Sequence, residues 1–354
     1  MEAHQNVFVV GTGRCGSTML SNMFRQSENL LSISEFFAFT TDLGTLIQES
    51  FPQGKVKADY FWKLISHPHA KQNLMLREGV AMKEVLYEVT NDSRFNFDTG
   101  VPAIMQTTLP HITDEADRLF HELKDYILSL PDGSIAYFYK QLFDWLKDYH
   151  HKKIWVERTG GSLRIVHRLY DLFPEAKFIH IVRDGRECAM SMEKHYGFRM
   201  VMIVFQLLEI LGVDPFVDDD REWLHDLPDE IACFLPENFD ADAFKNYEVS
   251  PSLYGHYWSG EIALGLKEME KIPEDQKIMV RYEDILEAPQ KSMQRIASFI
   301  GDDLTSAHWV EQCAAQIRSP HSRFEDLSVH EQKLLNDACK PGFEALRASG
   351  VDFS

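Results

Sequence analysis

Val7-Phe-Val-Val-Gly-Thr-Gly-Arg-Cys-Gly-Ser-Thr-Met-Leu20 joins a strand, a turn and a helix start in one short stretch. The run Val7 to Val10 is apolar and mostly β-branched, which reads as a buried strand. Gly11, Gly13 and Gly16 let the chain turn sharply and bring backbone N–H groups close to a ligand. Ser17 and Thr18 then open a helix whose apolar residues Met19, Leu20, Met23 and Phe24 share one face. The first N–H groups of that helix lack intrahelical partners, and its dipole places about half a positive charge beside them. The stretch is therefore an anion site. The rest of the chain has to say which anion.

The totals narrow the field. The chain has 354 residues, 44% hydrophobic and 26% charged, enough for a sizeable core. The formal net charge of −19 argues against a general nucleic-acid binder, which needs a basic surface. Five scattered cysteines with no Cys-x-x-Cys pair read as reduced thiols in a cytoplasmic protein. The first strand begins by residue 7, which leaves no room for a signal peptide ahead of it. The longest apolar run, Met200 to Leu211, contains Gln206 and Glu209 and is too short to span a bilayer, which takes about 20 residues.

Taken in order, residues 30 to 35 alternate and predict a second strand ending at Glu35. Residues 41 to 90 are mixed and largely helical, and 94 to 110 read as an irregular loop. Helices follow from Thr113 to about Leu130 and over 135 to 149, then a strand over 153 to 156. Glu157-Arg-Thr-Gly-Gly161 turns into a helix over 162 to 173. The strand Lys177 to Val182 leads through Arg183 into a helix reaching Ser191. Strand, turn and helix thus recur three times. The expected fold is α/β, a mostly parallel central sheet flanked by helices, with ligands at the strands' carboxyl ends. Residues 199 to 260 break the pattern with an apolar helix and an acidic tract, and read as a helical insertion or lid within a single domain spanning 1 to 354. A last strand over 277 to 280 precedes a helix over 289 to 300 that stops at Gly301.

Two general motifs overlap on the opening loop. Gly11-x-Gly13-x-x-Gly16, with Glu35 ending the next strand, fits a dinucleotide fingerprint and hence an NAD(P)-dependent oxidoreductase. Gly11-x-x-x-x-Gly16-Ser17-Thr18 fits a P-loop, except that Ser17 stands where the lysine belongs. Without that lysine a nucleoside triphosphate is poorly served. The loop carries its own cation at Arg14 instead.

Gly11-Thr-Gly-Arg14-Cys15-Gly16-Ser17-Thr18, together with Phe178-Ile-His-Ile-Val-Arg183-Asp-Gly-Arg-Glu-Cys-Ala-Met-Ser191, resembles the sulfotransferases that use 3′-phosphoadenosine 5′-phosphosulfate (PAPS). The bacterial and tyrosylprotein branches look closer than the cytosolic aryl branch. Val280-Arg-Tyr282-Glu-Asp284-Ile and the helix ending at Phe299-Ile-Gly301 extend the likeness over most of the chain. The resemblance implies a P-loop-NTPase-like three-layer fold. It implies that residues 14 to 18 (Arg14, Cys15, Gly16, Ser17, Thr18) bind the 5′-phosphosulfate. Arg183 and Ser191 would bind the 3′-phosphate. Tyr282 would touch the nucleotide or simply pack. Arg318, Ser322 and Arg323 fall in a polar loop where relatives fold a segment over the cosubstrate, and Arg186 would cap its surroundings.

The chemistry implied is sulfuryl transfer to a hydroxyl, in line and without a metal, leaving PAP as product. Arg14 is the expected stabiliser of the departing oxygen. Glu35 corresponds to the base of the tyrosylprotein branch, and its strand-end burial suits that role. His111 is the reserve base, by analogy with the aryl branch. Arg158 stands where relatives carry a lysine that assists the transition state; an arginine binds an oxyanion well but cannot donate a proton as lysine can. The acidic residues between Asp214 and Glu230 form either a solvated lid surface or a selector for a cationic acceptor. Met200 to Phe205 either packs as helix or lines an apolar acceptor pocket. The acceptor itself stays open among sugar, lipid, phenol, peptide and natural product. A nucleotide-binding protein without turnover remains the non-enzymatic alternative.

Overall fold

The run Val7–Val10 forms strand β1, fully buried along its length. A strand that is apolar at every position rather than alternating belongs in the middle of a parallel sheet, covered on both faces. The computed structural model describes residues 5–91, 93–218, 221, 227–318 and 322–353, and bears this out. β2 (Leu30–Ser34) follows, then a short antiparallel ribbon of β3 (Lys55–Val56) with β4 (Gly133–Ser134). β5 (Ile154–Arg158), β6 (Lys177–Val182) and β7 (Lys277–Arg281) complete the set. The main sheet has the order β2-β5-β1-β6-β7, and every pairing in it is parallel.

The order matters more than the strand count. From β1 the chain steps to β2 on one side; from β5 it crosses β1 to β6 on the other. Right-handed crossovers in opposite directions put helices on opposite faces and leave a crevice where the direction reverses. That crevice lies at the carboxyl end of β1, where the glycine-rich turn is. In the dinucleotide fold the second strand adjoins the first. Here β5 separates β1 from β2, so Glu35 stands one strand away from the place a ribose-binding acid would take.

Packing follows from aromatic residues on the strands. Phe8 meets Trp155, Phe173 and Phe178, and Phe143 of helix Ile135–Tyr149 closes on Trp155. Helix Ser17–Arg25 packs through Phe24 against Trp309 of helix Ala307–Gln316, whose indole N–H donates to the Met23 carbonyl. The expected irregular loop over 94 to 110 differs in part: Ala103–Gln106 and Thr108–Ile112 are short helices with buried apolar residues.

The expected insertion at 199 to 260 divides in two. Helix Tyr196–Leu211 and residues up to 247 build a second apolar cluster with Phe39, Met75 and Met82. Helix Pro251–Met269, by contrast, belongs to the main core, with Tyr254 and Trp258 fully buried. Within the acidic tract, Asp219, Asp220, Glu222 and Asp226 lie outside the described residues. Asp214 turns inward to Lys71 at 2.7 Å. Among the described residues no helix is long and apolar enough to cross a membrane.

Candidate active site

Each strand of the main sheet ends in a residue of interest. β1 runs into the glycine turn, β2 into Glu35, β5 into Thr159–Ser162, β6 into Arg183 and β7 into Tyr282. Parallel strands gather these five segments at one edge of the molecule.

The turn itself needs its glycines. Gly13 and Gly16 have φ of 81° and 94°, and a side chain on either would enter an aromatic ring. A Cβ at Gly13 would lie 2.5 Å from Phe198, and one at Gly16 would lie 2.3 Å from Tyr282. Arg14 also sits in the left-handed region, at φ 55°, which for a non-glycine residue is held only by its surroundings. Those surroundings are visible. Arg14 Nε donates to Ser191 Oγ at 3.2 Å, and its Nη1 pairs with Glu84 at 3.0 Å. Arg183 donates to the Arg14 carbonyl at 3.1 Å, while its guanidinium lies over the Tyr282 ring at 4.9 Å. The structure thus brings Arg14, Arg183, Ser191 and Tyr282 into one cluster. Ser191 bonds across to the turn rather than back to its own helix.

Glu187 ties the polar loop into this cluster. It pairs with Arg183 at 3.4 Å, and its other oxygen accepts from the Ser322 hydroxyl and the N–H groups of Arg323 and Phe324. Arg318 is placed differently, with its guanidinium on the carbonyls of Ala315 and Ile317. Residues 319–321 lie outside the described residues. Arg186 pairs with Asp184 and covers Phe324. Cys15 is buried, packs under the turn and has its thiol pKa pushed up by burial, so it can offer a ligand only its backbone.

Below the turn opens a cleft of about 870 Å³, open to solvent, lined at its polar end by Gly13, Arg14, Ser17, Thr18, Glu35 and Gly160. Glu35 is 6% exposed and has φ 55°. Its N–H donates to the Arg158 carbonyl at 2.7 Å, and its carboxylate takes the Gly160 N–H at 2.9 Å and the Arg158 guanidinium. Arg158 differs from expectation. It is buried behind Glu35, with its second nitrogen on Ser34 at 2.7 Å, and does not line the cleft. His111 differs too. It lies in the core beside Ser32 at 3.1 Å, and burial first, then the charges of Arg158 and Arg25, lower its pKa to about 4. It is no part of the cleft wall.

Two wall residues were not legible in the sequence. Glu84 bridges Arg14 and His195, the latter at 2.9 Å. Burial opposes its charge, but the hydrogen bond from His195 and the charges of His195 and Arg14 prevail and hold it at about 2. Gly197 N–H donates to His195 Nδ1 at 3.1 Å, so Nε2 is the ring nitrogen whose proton faces Glu84. Glu84 falls in a stretch without periodicity, which gave no signal. Glu187, four residues after Arg183, did carry one: an i,i+4 charge pair on a helix. Among the described residues no group of three or more His, Cys, Asp or Glu side chains is placed to hold a metal ion.

A family model described as a sulfotransferase family matches residues 6–206 of the chain. No curated protein matches it. Among solved structures, the sulfotransferase domain of the Synechococcus PCC 7002 olefin synthase is 13% identical, covers 99% of this chain and 98% of its own, and gives a TM-score of 0.44. The sulfotransferase domain from the curacin biosynthetic pathway is 13% identical over 99% of both chains, with a TM-score of 0.46. A sulfotransferase from Alicyclobacillus acidocaldarius is 14% identical over 98% of this chain and 96% of its own, with a TM-score of 0.42.

Proposed function

We infer that this chain, which belongs to the sulfotransferase family, moves the sulfuryl group of PAPS onto a hydroxyl acceptor. The observation that carries the reading is the meeting of two anion-binding segments at Arg14. Arg183 and Ser191, 169 and 177 residues further along the chain, both bond to the one residue that carries the turn's positive charge. A donor with phosphate groups at two places needs such a pair of sites side by side.

The residues then divide the work. The N–H groups at the start of helix Ser17–Arg25, with Ser17 and Thr18, hold the 5′-phosphosulfate. Arg183 and Ser191 take the 3′-phosphate through charge-assisted bonds, with Tyr282 under the guanidinium. Ser322 and Arg323, tethered through Glu187, border that phosphate. Arg14 stabilises charge on the departing bridging oxygen. Glu35, in the same cleft, accepts the proton of the attacking hydroxyl. Arg158 acts through Glu35 as a positioning residue, fixing its carboxylate from behind. Glu84 holds Arg14 in place. The donor's sulfonate therefore shares or displaces that carboxylate when it binds. The whole chain serves as one catalytic domain, and five unpaired cysteines suit a reducing, cytoplasmic setting.

The test is a binding panel with PAP, NAD, NADP and ATP, read by thermal shift. PAP alone should raise the melting temperature, since a ligand that binds only the folded state stabilises it. Stabilisation by NAD or NADP without PAP would overturn the reading. Arg183→Ala should weaken PAP by about tenfold to a hundredfold, the weight of a charged hydrogen bond, and leave an analogue without the 3′-phosphate unaffected. Equal losses for both would remove Arg183 from its role.

A further inference from the structure

We propose that the acceptor is an uncharged alcohol with an elongated apolar body, seated in a chamber that leads away from Glu35; this rests on the sulfuryl-transfer reading above. The same cleft also has apolar walls, among them Phe37, Leu43, Ile47 and Val201. A second cavity of about 380 Å³ shares Leu43, Gly44, Arg164 and Val201 with the cleft, and so continues it along helix Tyr196–Leu211. Its own walls add Met200, Val204, Phe205 and Leu208. It reaches the surface where Phe205 and Leu208 are 41% and 37% exposed. A hydroxyl presented to Glu35 can thus carry an apolar chain outward, against methionines that adapt to its shape.

The charges along this path argue against an ionic acceptor. Arg164 pairs with Glu261 at 2.8 Å, and Lys71 with Asp214 at 2.7 Å. An ammonium or carboxylate on the acceptor would meet partners already neutralised, and a buried charge without a partner is costly. Asp214 is, among the described residues, the acid of the 214 to 230 tract that lines the chamber, and it faces Lys71 and Thr45. Asp214 therefore does not select a cation.

The experiment compares kcat/KM for straight-chain alkanols of increasing length, glucose and choline, with labelled PAPS. Each added methylene should raise kcat/KM by about fourfold until the chain reaches the mouth, then stop. No dependence on length, or preference for glucose or choline, overturns the proposal. Val201→Phe narrows the junction of the two cavities. It should cut the ratio of long-chain to short-chain kcat/KM about tenfold or more, and Val204→Phe should do the same further out. An unchanged ratio in both variants, each checked for PAP binding and melting temperature, overturns the chamber. Calorimetric titration of alkanols without donor separates the two levels. Alkanol binding without PAP binding would sink the sulfuryl reading and keep the chamber. PAP binding without alkanol binding would do the reverse.

Discussion

Glu35 is held from three sides by its own neighbours: the Arg158 carbonyl takes its N–H, and Arg158 and Gly160 hold its carboxylate. A left-handed φ at a non-glycine residue costs about 1–3 kcal/mol and persists only under such constraint. That constraint aims a single carboxylate at the cleft. Glu35→Gln keeps the shape while removing the proposed base. Turnover should fall by about 10²–10⁴-fold with PAP affinity kept, measured by initial rates and calorimetry. Near-full turnover with PAP still bound would give the base's role to another group. The sequence placed Glu35 at a strand end correctly, because the alternation of 30 to 34 marks the strand. It did not place Arg158. That residue's direction depends on the pairing of Ser34 with Arg158 between β2 and β5, a register set by the whole sheet and invisible in either strand alone. His111 misled for a related reason. Analogy with the aryl branch names it and the sequence reads it as a loop histidine, whereas the short helix Thr108–Ile112 buries it beside Ser21 and Ser32.

The element at which the segments of the candidate site meet is the turn between β1 and helix Ser17–Arg25. Its reading from sequence was sound because strand, glycines and helix start are all local signals. The ring that lies on it was not local: Tyr282 comes from the far end of the chain, after β7, and fills the space a Gly16 side chain would need. Gly16→Ala meets two penalties, a φ of 94° and a contact at 2.3 Å with Tyr282. It should destabilise the fold by roughly 1–3 kcal/mol from the backbone alone, measured by urea unfolding. Adding Tyr282→Ala should recover the steric part and leave the backbone part. Simple additivity of the two losses would mean that the ring does not press on the turn. The segment 196 to 247 shows the opposite case. Its apolar residues pack on Phe39 and Met82, far away in sequence, so periodicity gave a helix but not the cluster it joins.

For the molecule as a whole, the parallel sheet was legible from three repeats of strand, turn and helix, while the order that separates β1 from β2 was not. The fold buries titratable groups on its strands and helices, and they oppose one another as pH changes. His69 and His111 are lowered to about 4 and His180 to about 3, in each case by burial first. Their folded pKa lies below the unfolded value of about 6.5, so their contribution is present above that value and lost as pH falls through 4 to 3. Glu157 behaves oppositely. Burial raises it to about 8; the Thr159 hydroxyl at 2.5 Å and the charge of Arg158 counter this, while that of Glu35 adds to it. A carboxyl held neutral contributes fully below its unfolded pKa and loses that contribution as pH rises through about 8. Three histidines outweigh one carboxyl on the acid side, so stability should peak near about pH 6.5 and decline toward both ends. Urea midpoints at about pH 5, 6.5 and 8 would trace this dome. Glu157→Gln keeps an acceptor for Thr159 and cannot ionise. It should flatten the alkaline limb and leave the acid limb as it was. An alkaline limb as steep in Glu157→Gln as in the parent would mean that Glu157 is already ionised in the fold, and that its buried oxygens find a partner other than a proton.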